Sequence, residues 1–281
     1  MLQLVAESSV LKIIVETLMT QVEEARFDFY TDRLEVCAVD AANVAMIKME
    51  ADAALFDTWD LDECKVVMEL AKMREVLTLA AAGEMVEIVF DDVANRIKVS
   101  VGKIERTLSP INEDNVRVPQ RVPDITLSSV AKISGIELSR AFRAAKYVGE
   151  IVHMSMSPDE LGITVPGPTD AVDITYSSSE LEELNCENKV NSQYSLTYML
   201  DLVKKLDSVN LITLAFGENE PLKMNFGFHE EAIKVLFLLA PRQDAYSVSY
   251  THLRAHETPE HRGFPLEDEK KKGGGGGGGG G

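Results

Sequence analysis

The chain has 281 residues, of which 45% are hydrophobic, 6% aromatic and 26% charged. That is the balance of an ordinary soluble globular protein, long enough for two domains or one duplicated unit. Lys plus Arg number 28 against 46 Asp plus Glu, a net charge of -18, so the average surface repels nucleic acid and anionic membranes, and any DNA contact must come from local clustering of basic residues. No apolar run approaches the ~18–20 residues that span a bilayer. The N-terminal MLQLVAESSVLK lacks a basic n-region and a small-residue cleavage site, so the expected location is cytoplasmic. Cys37, Cys64 and Cys186 are odd in number and widely spaced, which suits small apolar residues in a reducing compartment rather than disulfides or a zinc site.

The first predicted helix covers 9–22, where Leu11, Ile14, Val15, Leu18 and Val22 recur at helical spacing. Ser8 or Ser9 is its expected N-cap. FDFYTDRLEVCAVD (Phe27–Asp40) alternates around a Thr-Asp-Arg turn and predicts a hairpin. A second helix is expected over 70–82, stopped by Gly83. LSPINEDNVRVPQRVP (Leu108–Pro123) holds three prolines and little periodicity, so it reads as a stiffened connector. Helices over 136–148, with Leu138, Ala141, Phe142, Ala145 and Val148 inward, and 195–207, with Leu196, Met199, Val203 and Leu206 inward, complete the set. The remaining segments alternate in twos and read as strands.

After Gln243 the character changes. Three lysines run into nine glycines, Gly273 to Gly281, a composition that cannot bury apolar surface. VSYTHLRAHET (Val248–Thr258) resembles the translation of a sequencing adapter. Residues 244–281 are therefore expected to be a disordered, non-native tail arising as a sequencing artefact, with nothing to be read from their histidines.

The rest of the chain is one pattern written twice, offset by about 125–127 residues. LKIIVETLMTQV lies over LSRAFRAAKYVG, and FDFYTDRLEVCAVD over MSMSPDELGITVPG, with Asp32 and Asp159 in the same turn. LAKMREVLTL matches LTYMLDLVKK, VEIVF matches LITLAF, and RIKVSVG matches PLKMNFG. Five blocks in one order predict an α+β fold of two similar domains, 1–107 and 124–243, joined by the connector 108–123. Each domain would pack two helices on antiparallel sheets.

Charge is distributed unevenly. The four helices hold Lys12, Lys72, Arg74, Arg140, Arg143, Lys146, Lys204 and Lys205 against five acidic residues, +3 in all. Residues 244–281 hold six acids and five bases, so the body carries -17 and its non-helical part -20. A Lys- and Arg-rich solvated helix face is common in any protein. The sharper reading is one surface that meets a polyanion through phosphate contacts, since only Tyr147, read as a packing residue, stands beside these cations to stack on bases.

The helix SSVLKIIVETL, the segment LEVCAVDAANVAMIKM, the block LAKMREVLTLA and the terminal LFLLAPR, together with the duplicated layout, resemble an archaeal-type sliding clamp of the proliferating cell nuclear antigen family over residues 1–243. The resemblance implies a duplicated DNA-clamp fold that forms a three-subunit ring, with the helices inside and the β-surface outside. It implies a non-catalytic processivity factor for replication and repair, with no cofactor and no membrane partner. The eight helix cations become candidate contacts to double-stranded DNA in the bore. Lys204 and Lys205 are adjacent, so both cannot point straight inward. Clamp loader, DNA polymerase, flap endonuclease and DNA ligase are the implied partners, docking short peptides into an apolar pocket. By motif that pocket would use Val39, Asn43, Val44, Met46, Val116, Val118, Pro221, Leu222, Leu239, Ala240 and Pro241. The edges KIERTLS (Lys103–Ser109) and AVDITYS (Ala171–Ser177) would join subunits, with Lys103 and Arg106 set against Asp170 and Asp173. No Gly-rich phosphate loop, HExxH, GxSxG or paired Cys/His spacing occurs, and His153 and His229 stand alone. The remaining alternative is a duplicated intracellular α+β ligand-binding or hydrolytic protein.

Overall fold

The computed structural model describes residues 1–119 and 122–242; the expectation of a non-native tail over 244–281 lies outside these. The first half runs β1 (Leu2–Glu7), α1 (Ser8–Leu18), β2 (Glu24–Phe29), β3 (Arg33–Val39), β4 (Ala45–Asp52), β5 (Thr58–Leu61), β6 (Cys64–Glu69), α2 (Leu70–Leu77), β7 (Met85–Asp91), β8 (Arg96–Val101) and β9 (Ile104–Leu108). The second half repeats that order with β10 (Val130–Ser134), α3 (Gly135–Ala145), β11 (Ile151–Met156), β12 (Glu160–Pro166), β13 (Ala171–Ser177), β14 (Glu183–Asn185), β15 (Val190–Ser195), α4 (Leu196–Leu206), β16 (Leu211–Ala215), β17 (Leu222–Phe228) and β18 (Ile233–Leu239). No described helix is long and apolar enough to cross a membrane.

All strand pairs are antiparallel, and the two halves share strand order. β5-β1-β7-β8-β9 in the first half corresponds to β14-β10-β16-β17-β18 in the second, and β4-β3-β2-β6 to β13-β12-β11-β15. The register corresponds as well. Leu4, Ile88, Val99 and Arg106 form a row across the first sheet, and Ala131, Leu214, Met224 and Phe237 form the same row in the second. One ladder has no counterpart among the described residues. β18 pairs with β4, joining the halves in a nine-stranded sheet, through Val235↔Met49, Leu236↔Lys48 and Phe237↔Ile47.

The helices pair within each half, α1 with α2 and α3 with α4, and bury one face on the sheets. Ile14, Leu18, Met73, Leu77, Phe142, Met199 and Leu206 are all at most 2% exposed. Each such side chain contributes about 1.5–3 kcal/mol by leaving water. Several helix boundaries depart from the sequence reading: the helix expected over 9–22 stops at Leu18 and the one expected over 136–148 stops at Ala145. α1 takes Glu7 as its N-cap residue with no side-chain cap, because β1 runs straight into the helix and leaves no turn. Ser8 is instead a buried helical residue whose Oγ donates to the Ala81 carbonyl at 3.2 Å. α2 ends at Leu77, and Gly83 (φ +75°) serves the turn that follows. Of the three cysteines only Cys186 is buried; Cys37 and Cys64 are half-buried. Burial pushes the Cys37 thiol up to about 11, which keeps it protonated and unreactive at neutral pH.

Candidate DNA-facing helices, peptide pocket and free edges

Of the eight helix cations, Arg74, Lys146 and Lys204 are exposed, and none is in an ion pair among the described residues; Lys146 Nζ lies 5.1 Å from the Tyr147 ring centroid. Four others have acidic neighbours. Lys72 pairs with Glu69 at 2.5 Å, Arg140 lies 4.0 Å from Glu137, and Arg143 pairs with Asp207 at 2.7 Å. Lys205 pairs with Glu16, linking α4 of one half to α1 of the other. Lys12 is half-buried and donates to the Ala80 carbonyl at 3.2 Å, just beyond the end of α2. Of the adjacent pair, Lys204 is exposed and Lys205 is half-buried beside Glu16.

The pocket residues come together around the loop between β3 and β4. Ala45 is opposite Leu239, Val39 is opposite Met46, and Leu222 is opposite Leu239. Ala240 N–H donates to the Val44 carbonyl at 2.8 Å, placing Val44 beside the C-terminal Ala240 and Pro241. Met46, Leu222 and Leu239 are buried core residues at 7%, 0% and 0% exposure. Val44, Val116, Val118, Pro221, Ala240 and Pro241 are partly exposed, and Asn43 is exposed with a left-handed φ of 56°. Val39 and Val116 line a separate open groove of about 630 Å³ with Ala41, Arg117 and the segment Met19 to Glu24. The motif-based residues thus form a core layer, an exposed rim beside Val44, and a groove under the connector.

Asp40, absent from the sequence-based site, organises this loop. It is 7% exposed, and its carboxylate accepts from Val44 and Ala45 N–H, both at 2.7 Å, from Ala42 N–H at 3.1 Å and from the Tyr198 hydroxyl at 2.8 Å. Burial pushes its pKa up, but the backbone N–H of Ala45, the Tyr198 hydroxyl and the other N–H groups together hold it below the ordinary carboxylate value. Asp followed by Asn three residues on is a turn signal that marks such a loop. Its bond to Tyr198 of α4 is tertiary and leaves no local trace in the sequence. The connector is tied down beside it. Arg26 bonds Glu113 at 2.6 Å, Arg117 donates to the Ala41 carbonyl at 3.2 Å, and Ile111 N–H donates to Val67 at 3.0 Å.

The third candidate region is a pair of strand edges. β9 and β13 are the outermost strands of their sheets. Ile104 on β9 is 48% exposed, although it faces the same side as buried Leu108. Arg106 is already bonded to Glu75 at 2.9 Å, and Asp173 accepts from the Thr164 hydroxyl at 2.8 Å. Among the described residues no three His, Cys, Asp or Glu side chains converge as a metal-ligand set.

Residues 1–109 match the family model described as proliferating cell nuclear antigen, N-terminal domain. The DNA polymerase sliding clamp of Methanosarcina mazei is 31% identical over 235 residues, which cover 84% of this chain and 96% of that protein. This chain belongs to the sliding-clamp family. The clamp fold is confirmed by solved structures. The A. fulgidus PCNA, bound to the C-terminal region of FEN-1, superposes with a TM-score of 0.81 at 25% identity, covering 87% of this chain and 100% of that one. The PCNA of Thermococcus kodakaraensis gives a TM-score of 0.78 at 22% identity, covering 86% and 100%. Clamp function therefore replaces the alternative of a ligand-binding or hydrolytic protein, and the expected α+β duplicated fold is the one observed.

Proposed function

We propose that three copies of this chain close head to tail into a ring that encircles duplex DNA and tethers replication and repair proteins, without catalysing a reaction itself. The observation that carries this reading is the seam between β18 and β4. β9 occupies the place of β18 in the first half, and β13 occupies the place of β4 in the second, yet among the described residues each lacks a neighbour there. Long exposed edges invite pairing, and a heterologous contact that repeats with rotation closes a ring. Carrying the internal register across sets Ile104 opposite Ile174 of the partner subunit, and Arg106 opposite Val172 of the partner subunit. The exposed Ile104 then gains an apolar neighbour. Lys103 and Arg106 meet Thr175 and Val172 of the partner subunit rather than Asp170 and Asp173 directly, so backbone and apolar contacts hold the joint.

Within such a ring the helices face the DNA. A threaded ring needs only weak, sequence-independent phosphate contacts. Exposed Arg74, Lys146 and Lys204 suit that need best, with Lys72, Arg140 and Arg143 supplementing them from ion pairs that phosphate can exchange. Lys12 and Lys205 support the helices instead. Partner peptides would dock at Val44, Ala240, Pro241 and the connector valines, clamp loader and DNA polymerase among their owners. The test is light scattering of the full chain followed by retention on circular DNA. A mass near three subunits, with retention on closed circles and loss after linearisation, is the expected result. A monomer at every concentration, or equal retention on both DNAs, overturns it.

A further inference from the structure

The register taken from the internal seam has one consequence on the opposite, outward face of the joint. Leu236 of β18 stands opposite Lys48 of β4, and Lys48 is neutralised by Glu50 and by Glu35 at 3.9 Å. Glu105 holds the place of Leu236 in β9, since Ser100↔Glu105 in the first half corresponds to Asn225↔Leu236 in the second. Asp173 holds the place of Lys48 in β13, since Cys37↔Lys48 corresponds to Thr164↔Asp173. Both carboxylates are exposed in the single chain.

We infer that Glu105 stands directly opposite Asp173 of the partner subunit, and that this like-charge pair sets how easily the ring opens at its joints. The inference rests on the ring reading above. Directly opposed residues in an antiparallel pair bring their Cβ atoms to about 4.5–5.5 Å, where like charges destabilise. The surrounding charges temper the repulsion without removing it. Lys98 of β8 lies 3.2 Å from Glu105, and Thr164 of β12 donates to Asp173. Lys103 shares the outward face and sits diagonally from Asp173 of the partner subunit. Across the joint the row Ser100, Glu105, Asp173 of the partner subunit and Thr164 of the partner subunit holds two adjacent carboxylates, with Lys98 reaching Glu105 only from a diagonal position, whereas the internal seam reads an apolar residue against a compensated lysine. A clamp that must open to admit DNA would part at the joint carrying this opposition and leave the internal seam intact.

The test is a charge-reversal cycle in the full chain, read as the subunit concentration at half-assembly by sedimentation. Glu105→Lys and Asp173→Lys each replace repulsion by attraction, and three joints per ring amplify the change, so each should lower that concentration roughly five- to tenfold. The double variant Glu105→Lys/Asp173→Lys restores like charges and should return close to the parent value. In about 1 M salt, where the screening length is near 3 Å, the differences should shrink. If either lysine variant fails to fold by circular dichroism, Glu105→Gln and Asp173→Asn replace them; each should tighten assembly, and their combination should add little to either. Trimers whose two substitutions act independently would overturn this register while leaving the ring standing. A parent protein that forms no trimer at any concentration would overturn both.

Discussion

The two kinds of joint available to this fold differ in covalent status and in chemistry. The internal seam buries Val235, Phe237 and Leu239 of β18 against Ala45, Ile47 and Met49 of β4, all at most 2% exposed. In the proposed ring the corresponding free edges would set Ile104, Arg106 and Leu108 against Val172 and Ile174 of the partner subunit, with an outer carboxylate pair. One ladder is part of a protein core and the other, on the ring reading, would form only with a second copy. The same backbone geometry would then serve permanence in one place and reversibility in the other, with the side chains deciding which.

The largest expected effect is on the internal seam. Phe237→Ala removes a fully buried ring and should lower unfolding free energy by about 3–5 kcal/mol, read by chemical denaturation. Its edge counterpart is Ile104→Asp. That side chain is 48% exposed, so chain stability should shift by only about 0.5 kcal/mol, while the mass in solution falls from trimer to monomer. If Ile104→Asp left the trimer intact, the proposed division between the two joints would be lost.

An intermediate effect is expected at Asp40, which ties the first half to α4 of the second. Asp40→Asn leaves backbone donors facing a poorer acceptor and should cost about 1–3 kcal/mol, with peptide binding at Val44 weakened in parallel. Its folded pKa is lowered, so its contribution is complete above the ordinary carboxylate value near 3.8 and is lost as pH falls through the lower folded value. A stability profile of the parent minus Asp40→Asn should therefore be flat near neutrality and shrink only in strong acid.

The smallest effect concerns the helix cations. Arg74→Glu or Lys204→Glu should weaken DNA retention and flatten its salt dependence by roughly one unit of slope per lost contact. Lys205→Glu should instead disturb the Glu16 pair between the halves and show in thermal stability. Equal effects of Lys204→Glu and Lys205→Glu on the salt slope would contradict the assignment.

Periodicity and the 125–127-residue repeat made most of this architecture legible in the sequence. The four helices and the hairpin over Phe27–Asp40 appear where alternation and helical spacing place them, and AVDITYS is β13. The boundaries went astray where tertiary geometry overrides local signals. Ser8 has the chemistry of a cap, yet β1 leads directly into α1 and draws its hydroxyl to the Ala81 carbonyl. The motif-based pocket mixed layers for a related reason. Leu222 and Leu239 sit in strands whose apolar side is fully covered, while Val44 sits at a loop, and spacing alone cannot separate a rim from the core beneath it. The ion pairs of Arg143 and Lys205, and the contact between Asp40 and Tyr198, 158 residues away, depend on packing between distant segments and leave no local signature.

The connector has a thermodynamic consequence of its own. Ile111, Glu113 and Arg117 anchor it at three points, so residues 111–117 are held before any visitor arrives. On the proposed docking, an incoming peptide would bear nearly all of the ordering entropy itself, and differences among peptides would report their own anchors and preformed turns rather than the folding of a receptor strap.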